Sequence, residues 1–133
     1  MFTKKQLTVF GAFLALLALL FSPVMGEQST AFAQETPDVE FTLRTVIGGD
    51  PVMAFVGVGG DIDGIVNPEL RVVLGQTVKI TVINGDPVLH DMIIDAFDVT
   101  TGELVDAEQV GEFVFVASEV GTFTYNCSVP GHK

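Results

Sequence analysis

The chain has 133 residues, 17 of them acidic and 6 basic, for a formal net charge of −11, and it contains one Cys, two His and no Trp. That length suits one domain, and 48% hydrophobic residues with 11 Phe supply enough apolar surface for a core, which excludes wholesale disorder. Six scattered basic side chains cannot neutralise a run of phosphates, so nucleic-acid binding is excluded, and an anionic membrane surface is an equally poor partner.

Lys4 and Lys5 precede an uncharged, largely apolar run of 15 residues from Leu7 to Phe21, followed by Ser22 and Pro23. Positive flank and apolar stretch read as the n-region and h-region of an export signal. Ala31-Phe32-Ala33 places small residues at −3 and −1 of a cleavage site, ahead of the weaker candidate Val24-Met25-Gly26. The run is short of the roughly 20 residues that span a bilayer, which disfavours an uncleaved anchor. The expected organisation is a signal peptide over 1–33, a polar linker over 34–38 and one domain over 39–133. The mature domain is then small, acidic and exported, in the periplasm or outside the cell, and membrane-tethered only if the N-terminal segment stays attached.

Beyond the linker, β-branched and aromatic residues recur in short runs: Val39–Ile47, Val52–Val58, Leu70–Leu74, Thr77–Ile83, Val88–Ile94, Glu112–Ala117 and Thr122–Cys127. Gly, Pro, Asn and Asp separate them, as in Gly48-Gly49-Asp50-Pro51 and Asn84-Gly85-Asp86-Pro87. Such spacing predicts an all-β sandwich or barrel. Thr77–Ile83 is the clearest strand, because Val78, Ile80 and Val82 alternate with Thr77, Lys79 and Thr81 and therefore share one buried face. Phe123, Tyr125 and Cys127 alternate in the same way. The acidic stretch from Phe97 to Gln109 has no clear period and reads as a surface loop. The alternating Phe residues read as core.

Apart from Met, the soft or imidazole donors are His90, Cys127 and His132, which are every His and Cys in the chain. An exported protein normally pairs its cysteines, so a lone thiol calls for an occupant, and a metal is the simplest one. In Tyr125-Asn126-Cys127-Ser128-Val129-Pro130-Gly131-His132 a thiol stands at the end of a strand and an imidazole follows across a Pro-Gly turn, which can bring both to one ion. His90 must reach them through the fold. Two imidazoles and one thiolate suit a blue-copper electron-transfer site, while zinc also accepts this donor set. Other constellations are weaker. No nucleophile elbow accompanies Ser118 or Ser128, no Lys-Ser/Thr follows Gly57-Val58-Gly59-Gly60, and Asp61-Asp63-Gly64 lacks the terminal Glu of a calcium loop.

From Asp61 to Lys133 the chain resembles the cupredoxins, the type 1 copper family. The resemblance is carried by Val66-Asn67-Pro68-Glu69-Leu70 leading into Gly75-Gln76-Thr77-Val78, by Leu89-His90-Asp91, and above all by Gly121-Thr122-Phe123-Thr124-Tyr125-Asn126-Cys127 running on to His132. The Cys-x4-His spacing is similar to that of azurins and multicopper domains. The resemblance implies a Greek-key β-sandwich and one type 1 copper cycling between Cu(I) and Cu(II), with metal ligands His90, Cys127 and His132 and no catalytic residues. It also implies His132 near the surface, a buried Cys127 and a deeper His90. Two departures stand out. The family places an axial Met and a final strand beyond the second His, whereas this sequence stops at Lys133, so the domain reads as C-terminally incomplete with its final strand missing and one sheet edge open. Asp91 stands where many relatives carry Asn, Ser or Thr, and a carboxylate there would favour Cu(II).

The function expected is one-electron transfer by an exported cupredoxin, with redox proteins of basic docking surface as partners and no small-molecule substrate in this domain. An alternative makes it the N-terminal cupredoxin domain of a longer copper enzyme of the nitrite reductase or multicopper oxidase type. A second alternative is a metal-free structural sandwich, against which the lone Cys and absent Trp count.

Overall fold

The computed structural model describes residues 5–11 and 36–132. Among these residues the regular elements are strands and two short 3-10 turns, with no α-helix. The strands are β1 Gln6–Phe10, β2 Val39–Ile47, β3 Met53–Gly57, β4 Leu70–Val73, β5 Thr77–Ile83, β6 Ile93–Ile94, β7 Val99–Thr100, β8 Val110–Val116 and β9 Gly121–Thr124.

One sheet has the order β3-β2-β5-β8, in which β2 runs antiparallel to β3 and parallel to β5, and β5 runs antiparallel to β8. The other has the order β4-β1-β9. It continues toward the β6–β7 ladder through the bridge between Ile93 and Asn126. The parallel pairing of strands far apart in sequence, next to antiparallel neighbours, gives the mixed sheets of a cupredoxin-like β-sandwich.

The predicted alternation of β5 decides the core. Val78, Ile80 and Val82 are fully buried, and the register sets Ile80 between Phe41 of β2 and Phe113 of β8. Leu43 from β2, Phe113 and Phe115 from β8, and Leu70, Val72 and Tyr125 join them in one cluster. Not every Phe is core, since Phe10 is exposed and stacks under the Arg71 guanidinium.

The N-terminal segment adds a strand that the sequence reading leaves out. Gln6–Phe10, inside the segment read as an export signal, forms β1, parallel to β4 and antiparallel to β9. Its alternation explains the fit. Leu7 and Val9 point into the core with at most 2% exposure, and the backbone pairs with both neighbouring strands. β9 is therefore paired with β1 along Gly121–Thr124. The rest of the apolar run, the Ala31–Ala33 site and the start of the linker lie outside the described residues.

Two other segments depart from expectation. The Val88–Ile94 run shortens to β6, because the buried Asn84 side chain donates to Val88 O and holds this stretch as a turn. In the expected 97–109 loop, β7 pairs with β6 and Leu104 is buried, while Asp98, Glu103, Asp106 and Glu108 face solvent.

Candidate metal centre

The site begins with Asn84, at the end of β5 and fully buried. Its amide donates to Val88 O and Leu104 O, both at 3.1 Å, and its Oδ1 accepts from Thr45 Oγ1 of β2 at 3.1 Å. The next residue has to be small. A Cβ on Gly85 would come within 1.9 Å of Thr45 O, so glycine lets the loop lie directly on β2. That loop delivers His90, whose backbone exchanges two hydrogen bonds with Leu104.

Cys127 follows β9, where Asn126 bridges to Ile93 and the alternation turns Tyr125 and Cys127 inward. The chain then reverses over Val129-Pro130-Gly131-His132. His132 N donates to Val129 O at 3.1 Å and Gly131 has φ +89°, the arrangement that Pro and Gly favour at the centre of a tight turn. Asp91 ties this loop to the His90 segment, because its carboxylate accepts from Ser128 N at 2.6 Å and from Ser128 Oγ.

The fold therefore brings the three sequence-selected donors together. The ligand atoms of His90, Cys127 and His132 lie within 4.8 Å of one another. Cys127 Sγ is 3.5 Å from His132 Nδ1, and the two imidazole rings have centroids 4.9 Å apart. His90 and Cys127 are each 3% exposed while His132 is half-buried. The pocket between them is completed by Lys5, Thr45, Met53, Ala54 and Phe55, with Lys5 Nζ 5.1 Å from the centre of the Phe55 ring.

Electrostatics prepare the donors unequally. Burial raises the Cys127 thiol above its ordinary range, opposed by hydrogen bonds from the backbone N–H groups of Asp91 and Val129. Burial and then the neighbouring His90 lower the pKa of His132, so its imidazole is neutral over a wider pH range. To hold a metal here Cys127 would have to give up its proton, whereas the lowered pKa of His132 favours its neutral, ligating form. Burial also lowers the pKa of Lys5, while Cys127 raises it.

The donor set fits copper: two imidazoles and one thiol, convergent, shielded and compatible with a single ion. A β-sandwich with this cluster is consistent with a cupredoxin-type mononuclear copper site. No protein-family model matches the chain, and no curated protein matches it. The sandwich and the His90/Cys127/His132 geometry therefore carry the assignment. The arrangement fits the copper site of an electron carrier.

Sequence reading does not find the residues around the donors: Lys5, Thr45, Met53, Ala54 and Phe55 reach the pocket only through strand pairing. Asp86, whose carboxylate meets the His90 ring, left a usable trace: an acidic residue four positions before a candidate ligand, in the same turn.

Proposed function

We propose that this protein is an exported cupredoxin that carries single electrons between redox proteins through one copper ion held by His90, Cys127 and His132. The observation that supports it most is that every His and Cys of the chain meets in one shielded pocket of a β-sandwich. Held by these three residues, copper would supply one-electron redox chemistry.

The residues prepare that exchange in different ways. Cys127 and His90 hold the site from inside the sandwich, and their positions are fixed by β9 and by the Leu104 bridge, so the donors need not rearrange with oxidation state. The ring of His132 is half-buried beside exposed Pro130 and Gly131, which makes it the natural exit for an electron toward a docked partner. A chain charge of −11 favours a basic docking surface, through steering that weakens as salt is added.

Export rests on Lys4, Lys5, the apolar run and Ala31-Phe32-Ala33. Among the described residues no helix is long and apolar enough to cross a membrane. Cleavage after Ala33 would withdraw β1 from between β4 and β9 and remove Lys5 from the pocket.

Voltammetry of the copper-loaded protein tests the function. A reversible one-electron wave and rapid electron exchange with a basic redox protein, slowed by salt, are expected. Copper that is reduced irreversibly or lost on reduction would contradict a carrier role.

A further inference from the structure

The ring of His90 has a second partner that the copper-site reading does not use. Its Nε2 lies 3.1 Å from Asp86 Oδ1 and 3.2 Å from Asp86 Oδ2, and the imidazole is 3% exposed. Asp86 is itself held in place. Its backbone N–H points at Asn84 Oδ1 and its Oδ1 accepts from Val88 N at 3.0 Å, so the loop from Asn84 to His90 is built around the two side chains. The neighbouring carboxylate of Asp91 is turned to the other loop, where both its oxygens accept from Ser128.

We propose, on the basis of the copper reading, that Asp86 is a positioning residue of the metal site: its carboxylate accepts the Nε2–H of His90, fixes that tautomer and leaves Nδ1 as the donor toward Cys127 and His132. An imidazole that donates to a carboxylate is a stronger and better oriented ligand. The negative charge behind it also favours the more highly charged ion, so Asp86 holds copper toward Cu(II). Asp86 thereby stands behind His90 as Asp91 stands beside Cys127, so each of these two ligands has a carboxylate next to it.

Two measurements test this. Nitrogen NMR of the metal-free protein should show His90 protonated at Nε2, in a hydrogen bond lost in Asp86→Ala. In the copper-loaded protein, Asp86→Asn should weaken Cu(II) relative to Cu(I) by about tenfold, which raises the potential by about 59 mV for one electron. Asp86→Ala should raise it further. Glu108→Gln, which removes an exposed carboxylate paired with Arg44, serves as the charge control and should shift the potential much less. A His90 protonated at Nδ1, or equal shifts in Asp86→Asn and Glu108→Gln, would overturn the proposal. The NMR measurement on the unaltered chain decides the point even if a variant fails to fold. A wild-type protein that binds no copper would overturn the copper reading and this inference with it, whereas copper binding with no shift in Asp86→Asn would overturn this inference alone.

Discussion

Tyr125 is fully buried, and its hydroxyl donates to Pro68 O at 2.7 Å, joining the start of β4 to the strand that delivers Cys127. Burial holds its proton well above the ordinary value of 10.0. A group whose folded pKa is raised stabilises the protein fully below its unfolded pKa, and that stability is lost as pH rises toward the folded value. Stability linked to Tyr125 is therefore constant below about pH 10 and falls above it, and because the chain has one Tyr and no Trp, phenolate absorbance should appear together with unfolding. Tyr125→Phe should abolish that coupling and cost about 1–2 kcal/mol in urea denaturation, since Pro68 O loses its partner. At this scale the three donors were legible because the chain offers no other His or Cys. Their supports were not, because Thr45, Phe55 and Lys5 enter the pocket only through strand pairing that no local pattern encodes.

Among the elements, β2 and β5 have the limits read from sequence, because long alternating β-branched runs ending at Gly or Asn leave little choice of boundary. The Val88–Ile94 run shows where that logic stops. Its composition suits a strand, but the Asn84 side chain takes the hydrogen bonds a strand would need, and the segment serves to present His90. Gly85 makes this possible. Gly85→Ala should push the loop off β2 and lower both copper affinity and thermal stability, whereas alanine at the open, exposed Gly59 should leave the site untouched despite its positive φ. Measuring both variants separates backbone strain from displacement of the loop. In β5, Ile80→Ala should cost about 2–5 kcal/mol, because the side chain is fully buried between two sheet neighbours.

At the scale of the whole molecule, the N-terminus is where sequence logic and packing pull apart. Two lysines before an apolar run are the pattern of an export signal, yet Leu7 and Val9 alternate well enough to close the seam between β4 and β9. A five-residue strand inside a longer apolar run cannot be told from the run by periodicity alone. A chain beginning after Ala33 should be less stable than the chain that keeps β1, by about 1.5–3 kcal/mol for each of the two buried side chains, and an added peptide spanning Lys5–Gly11 should restore the denaturation midpoint. An unchanged midpoint would show that β1 contributes nothing to the sandwich. The site itself hangs on β9 and the His90 loop, and its function depends on copper held by the Cys127 thiolate. The most direct measurement is the absorption and EPR spectrum after addition of Cu(II), on the wild-type chain and on Cys127→Ser. Intense blue charge transfer in the wild type, abolished in Cys127→Ser, is the predicted result. A wild-type protein that stays colourless with stoichiometric Cu(II) would contradict it.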